Sequence, residues 1–356
     1  MQWVAGIAGG HLDLDQQPCR IAMPNSHAVV DGINCLCMSV NTPMSWSTLL
    51  AEIQSESGLQ LYNSIKTKCP TGPLYIDGID RSIAVARNEL EKYLADPIKY
   101  TSIYPGEILQ IDGSTGTGKT EVALFLVLTT IIPEYQEVTV GQEIVRVHLG
   151  GRGKSVVFID VEAKLRVERI FEVCRGHFLR CLGKGNSSLY PELVGQIDRL
   201  LLDWSKRVHI FRPNSTLELL STLRGLPGYL SQLEEEFHFL FLDSPSSFYW
   251  IDRFESQSLG TFVPLHKSLV QAIREVSLEW GLVVCITNPV LLASERRENH
   301  ESLVIREHLP PVWKECINYR FVIAHEEAGQ QRIGRMVAPA IGPIFRFHIS
   351  REGVQS

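Results

Sequence analysis

The stretch Gly113-Ser114-Thr115-Gly116-Thr117-Gly118-Lys119-Thr120 restricts this chain more than any other, because its spacing is that of a phosphate-cradling P-loop. Such a loop works only between a strand and a helix. The glycines let backbone N–H groups converge on phosphate oxygens, Lys119 can reach the terminal phosphates, and the Thr120 hydroxyl can serve a magnesium ion. The flanks agree. Glu107-Ile-Leu-Gln-Ile111 is strand-like, and Glu121-Val-Ala-Leu-Phe-Leu-Val-Leu128 is apolar all round, as a buried helix with its positive N-terminus toward an anion would be. The implied ligand is a nucleoside triphosphate, most often ATP, with Mg2+.

The remainder supplies a setting for that loop. From Tyr104 onward strand-like and helix-like stretches alternate, with strands expected at 107–111, 155–159, 208–211, 237–242, 281–287, 319–324, 334–337 and 344–349. The first five, separated by helices, predict an α/β P-loop NTPase core with a mostly parallel central sheet covered on both faces. The last three suggest hairpin additions at an edge. Residues 1–43 read as an irregular, poorly ordered extension interrupted by Pro18, Pro24 and Pro43. Residues 44–103 read as a helical N-terminal segment and linker, and 104–356 as the ATP-binding core.

Composition narrows the function classes. A net charge of −6 over 356 residues gives no overall attraction to nucleic acid, so DNA contact needs a local surface or a partner. No apolar run reaches the length of a transmembrane helix, which predicts no membrane association. The first forty residues hold one basic residue, Arg20, and resemble neither a secretory nor a transit peptide. The eight cysteines are scattered, as reduced thiols would be. Cys174, His177 and Cys181 share a helix face, but with no fourth ligand at a recognised spacing they read as packing.

Two further strand ends carry carboxylates. Phe237-His-Phe-Leu-Phe-Leu-Asp243 would deliver Asp243 beside the P-loop, where it can hold magnesium through the metal's water shell. Val156-Val-Phe-Ile-Asp160-Val-Glu162 would bring Glu162 as a general base and Asp160 as support, although Glu162 can equally be a solvated loop residue. A second Gly-Lys-Ser, in Gly150-Gly-Arg-Gly-Lys-Ser155, lacks the leading glycine and precedes a strand, so it reads as a strand-entry turn.

Together, the P-loop followed by Glu121, the Asp160-Val-Glu162 strand end continuing to Arg169, Leu242-Asp-Ser-Pro-Ser-Ser-Phe-Tyr-Trp-Ile-Asp-Arg253, Ile286-Thr287-Asn288 and the terminal Phe345–Val354 stretch resemble RecA-like recombinases. More narrowly, they resemble a short paralogue of the X-ray repair cross-complementing group. The resemblance runs from about residue 44 to the end and is specific after Tyr104. It implies a RecA-like core and a nuclear subunit of a heteromeric complex of recombinase paralogues. Such a complex assists recombinase loading in double-strand break repair, crosslink repair and meiotic recombination, with DNA reached through the complex and ATP near a subunit interface.

Two departures point to at most a slow DNA-dependent ATPase. Pro289 stands where recombinases carry a Gln that senses the terminal phosphate, and proline has no side-chain hydrogen-bonding group. The only Phe-x-x-Ala spacing resembling the family's polymerisation motif, Phe321 to Ala324, lies in an apolar strand, which argues against filament formation by this chain alone. Phe248, Tyr249, Trp250 and Arg253 can either stack on bases or pack against a partner. Ser294–Glu301 reads as a solvated loop. The alternatives are a freestanding P-loop ATPase or kinase not acting on DNA, and a purely structural adaptor.

Overall fold

The computed structural model describes residues 69–91, 102–183, 190–255, 260–297, 300–306, 309–326 and 331–355, with a few positions between 58 and 65. The chain divides into two units, 1–55 and 56–356. The first, with the expected irregular extension, lies outside the described residues; all that follows concerns the second.

A nine-stranded sheet organises this unit. In chain order its strands are β1 (Ile108–Gly113), β4 (Ser155–Asp160), β5 (Val208–Phe211), β6 (Phe237–Asp243), β7 (Val283–Pro289), β10 (Tyr319–His325), β11 (Gln331–Ala338), β12 (Phe345–Ser350) and β13 (Gly353–Gln355). The spatial order is β13-β12-β11-β10-β1-β7-β6-β4-β5. From β10 to β5 every neighbouring pair is parallel, and only the pairings β10–β11, β11–β12 and β12–β13 are antiparallel. This corrects the expectation for 319–324 in part: the strand does pair antiparallel with the next one, β11, but it lies inside the sheet, with its other side parallel to β1, Leu109 opposite Tyr319. A parallel strand needs a covered crossover, and the connection from β7 supplies it. Two hairpins stand apart, β2 (Tyr135–Val140) with β3 (Glu143–His148), and β8 (Leu291–Arg297) with β9 (His300–Arg306). The second replaces the loop expected at 294–301, with Arg297 opposite His300 at its turn.

Strands buried on both faces read as unbroken apolar runs, and the period of two sorts their residues between the layers. Leu109, Ile111, Val156, Phe158, Phe239, Phe241, Val283 and Cys285 point to one face. There they meet α1 (Asp77–Glu91), α2 (Lys119–Ile131), α3 (Val167–Leu182) and α4 (Tyr190–Ser205). Ile108, Val157, Ile159, Leu240, Leu242, Val284 and Ile286 point to the other. That face is covered by α5 (Thr216–Leu230), α7 (Phe262–Glu279) and α8 (Val312–Cys316). Phe158, Phe241 and Phe239 stack in series across β4 and β6, with centroids 5.6 and 5.2 Å apart. Each buried ring contributes about 1.5–3 kcal/mol.

The helix after the P-loop is buried on every side from Val122 to Ile131, as its composition predicts. The Gly150–Ser155 stretch is the expected strand-entry turn. Its N–H groups at Arg152, Gly153 and Lys154 close the carbonyls of Thr129, Ile132 and Thr130 at the end of α2. At Gly151 a Cβ would lie 2.2 Å from the Ile132 oxygen, so only glycine fits.

Candidate nucleotide-binding site

The carboxyl ends of β1, β7, β6 and β4 lie side by side, and at that edge the chain gathers its polar groups. Gly116 and Gly118 take φ of 83° and 98°, which turns the loop back on itself before α2 begins. Thr117 Oγ1 donates to the Ser114 carbonyl at 2.9 Å and closes the loop. Lys119 Nζ donates to the carbonyls of Gly113 and Ser114 at 3.0 and 2.9 Å, so the ammonium is held inside the loop. Burial lowers its pKa, and the carboxylates of Asp243, Glu162 and Asp112 oppose that shift.

The antiparallel end of the sheet braces the loop from outside. His325 Nε2 donates to the Gly116 carbonyl at 3.1 Å, Arg332 Nε to the Thr117 carbonyl at 3.2 Å, and a Cβ on Gly118 would fall 2.0 Å from Ile349 Cδ1. Beneath the loop lies a polar cluster. Asp112 accepts from Gln110 Nε2 at 2.7 Å and from Arg320 Nε at 2.5 Å, all three buried, and Asn288 stands opposite Asp112 on the neighbouring strand.

Asp243 arrives as expected. Its Oδ2 accepts from Thr120 Oγ1 at 2.8 Å and its Oδ1 from Thr287 Oγ1. Burial raises its pKa, partly offset by those two hydroxyls and reinforced by Glu162 and Asp160. The Asp243–Ser244 peptide is cis. Thr120, Asp243, Lys119, Glu162, Lys164 and Pro289 line one cavity of about 320 Å3 with Thr115, Gly116, Gly118 and Glu121. Pro289 has no side-chain polar group to present to it. A second cavity of about 300 Å3 adjoins, sharing Thr120, Glu121 and Lys164, and is walled by Arg169, whose guanidinium pairs with both Glu121 oxygens.

These residues fit a magnesium nucleotide. The loop offers converging N–H groups at a helix N-terminus, the buried ammonium balances phosphate charge, and the hydroxyl and carboxylate that would share the ion already touch.

Asp160 does other work. Its oxygens accept the N–H groups of Lys164 and Leu165, each at 3.0 Å, and Arg212 Nε at 3.1 Å, so it shapes the loop after β4 rather than lining the cavity. The aromatic cluster is split. In α6 (Tyr249–Glu255), Tyr249 is buried and receives a hydrogen bond from Arg253, whereas Trp250 is 69 % exposed, Ile251 57 % and Phe254 77 %. Phe254 was not singled out by sequence, though its spacing from Trp250 is that of one helix face. Lys164 and Arg320 were also missed; each is a single charge with no motif around it. Phe321 is fully buried in β10, so the Phe-x-x-Ala spacing offers no exposed aromatic.

The fold and this site define an α/β P-loop core of the RecA type. No family model matches the chain. It is 22 % identical over 292 residues to the DNA repair protein XRCC2 homolog of Arabidopsis thaliana, covering 67 % of this chain and 76 % of that protein. It is 25 % identical over 236 residues to the mouse DNA repair protein XRCC2, covering 62 % of this chain and 73 % of that one. The RadA recombination protein of Methanoculleus marisnigri matches at 26 % over 192 residues, 52 % of this chain and 49 % of that protein. In sequence the chain is thus similar to XRCC2 and to recombination proteins of the RecA/Rad type.

Proposed function

We propose that this chain is an ATP-binding subunit of a heteromeric assembly of RecA-like paralogues that assists homologous recombination at double-strand breaks. The observation that carries it is the meeting of Lys119, Thr120 and Asp243 at the edge of a RecA-type sheet in a chain whose relatives are DNA repair proteins. The amides of residues 113–118 and Lys119 would hold the phosphates, Thr120 the magnesium ion, and Asp243 that ion's water shell. The ion would supply charge neutralisation at the phosphates. Glu162, which lines the same cavity, would be the candidate general base that accepts a proton from water.

The output of the site is assembly more than turnover. Pro289 removes the usual relay from the terminal phosphate, and the exposed Trp250, Ile251 and Phe254 offer an apolar face to a neighbouring subunit. With a net charge of −6 the chain reaches single-stranded or branched DNA through its complex, in the nucleus.

Binding of a fluorescent ATP analogue tests the site: magnesium-dependent binding lost in Lys119→Ala supports it, and no binding by the wild-type chain or its complex overturns it. Purification from cells with mass spectrometry of bound proteins should recover a second RecA-like paralogue. Salt-sensitive binding of single-stranded DNA by that complex is expected; its absence in both complex and isolated chain would remove DNA from the role. Full repair by Lys119→Ala with partner binding intact would favour the adaptor reading.

A further inference from the structure

Glu162 does not face the nucleotide cavity as a free carboxylate. Its Oε2 is ion-paired with the Lys164 ammonium, and its Oε1 accepts from Ser247 Oγ at 3.2 Å, a hydroxyl whose one proton is shared with the Ser244 carbonyl at 2.9 Å. The pairing is built into the backbone. Ala163, between the two charges, takes a φ of 50°, a left-handed conformation that a residue with a Cβ adopts only when its surroundings impose it. The imposing group is Asp160, nearly fully buried, which accepts the N–H groups of both Lys164 and Leu165 and is itself held by Arg212. The chain therefore spends a strained residue to bring a cation onto the one carboxylate positioned as a base. Lys164 also lines the cavity that holds Lys119, Thr120 and Asp243.

We propose that Lys164 is a positioning residue whose ion pair with Glu162 keeps the site in an ATP-retaining, slowly hydrolysing state. This rests on the reading of Glu162 as the base. Hydrolysis consumes one water and the terminal phosphoanhydride, gives ADP and inorganic phosphate, and sends the water's proton to a carboxylate oxygen of Glu162. An ammonium on that oxygen occupies the lone pair that the water's proton would take. The effect is bounded: correctly placed bases contribute roughly 100- to 10,000-fold, and a partly solvated pair screens only part of that, so about a tenfold restraint is expected.

The experiment uses the full chain in its complex. Lys164→Met, at a side chain that is largely exposed and outside the core, should raise single-turnover hydrolysis about tenfold at saturating ATP, where the rate does not depend on affinity. Lys164→Arg should restore the slow rate. The gain should vanish in Glu162→Gln/Lys164→Met, because it acts only through Glu162. A second readout needs no nucleotide: labelling of Lys164 by an amine-reactive reagent, followed by mass spectrometry, should be slow in the wild-type chain and faster in Glu162→Gln. Unchanged or slower turnover of Lys164→Met at saturating ATP would overturn the role of Lys164, as would labelling indifferent to Glu162→Gln. Absence of ATP binding in every variant would instead overturn the nucleotide site itself.

Discussion

Replacing Arg320 by Met removes a cation from beside a carboxylate that has no access to water. Asp112 is 0 % exposed and receives Arg320 Nε at 2.5 Å and Gln110 Nε2 at 2.7 Å. In a buried pair the loss of one partner leaves a desolvated charge, at a cost of about 3–5 kcal/mol. The packing part is small, since Met retains most of the unbranched stem, and volume-conserving swaps cost less than about 1.5 kcal/mol. With an urea dependence of about 3 kcal/mol per molar, the unfolding midpoint should fall by roughly 1–1.7 M. Urea unfolding followed by tryptophan fluorescence reads this directly. The double variant Asp112→Leu/Arg320→Met should return much of the loss, because apolar replacement of a whole buried pair is close to neutral. Because Asp112 immediately precedes Gly113, Arg320→Met should also weaken nucleotide binding more than Leu226→Ala, a core truncation on helix α5 away from the loop. A loss below about 1 kcal/mol, the size of a solvated surface pair, would refute the argument that this ion pair is desolvated and structural.

Gly118→Ala forces a Cβ against Ile349 and a φ of 98° on a residue with a side chain, and should lower stability by more than about 1 kcal/mol and weaken ATP binding, measured by thermal unfolding with and without nucleotide. His266 is fully buried, accepts from Trp313 Nε1 at 3.1 Å, and burial holds its pKa at about 4. The unfolded imidazole binds a proton near pH 6.5 and the folded one does not until about 4. Stability should therefore be full above pH 6.5 and fall as pH drops toward 4, by about 3 kcal/mol, and His266→Gln should flatten that slope in urea titrations across pH. Trp250→Ala/Phe254→Ala should leave the unfolding midpoint within about 0.5 kcal/mol of wild type, since both rings are exposed, while reducing capture of a paralogue partner; an intact complex would exclude this face from the interface.

Much of the candidate site's geometry was legible because its information is local. A P-loop needs glycines, a lysine and a hydroxyl within eight consecutive residues, and the flanking strand and helix announce themselves by apolar period. Asp243 followed for the same reason, as the first carboxylate after an unbroken apolar run. The strand positions were legible too, but not their partners. Tyr319–His325 looked like an edge hairpin because its sequence neighbours are hairpin strands, whereas its place beside β1 depends on a crossover that no local pattern records.

What tertiary structure alone decided is which charges meet. Gln110, Asp112, Asn288 and Arg320 come from three strands as much as 210 residues apart, and only sheet order and register bring them under the P-loop. The period of two tells which face a side chain points to, but not which strand lies alongside. Tyr249 is buried while Phe254 is exposed because one short helix has a face to turn inward, and composition does not say which. Lys164 lies two residues from Glu162, yet their pairing requires the turn at Ala163 that a buried Asp160 imposes. Sequence by itself determined that this chain folds around a phosphate loop. The long-range packing decided that Asp112, the carboxylate just before that loop, is held by Arg320, because electrostatic contacts are set by distance in space.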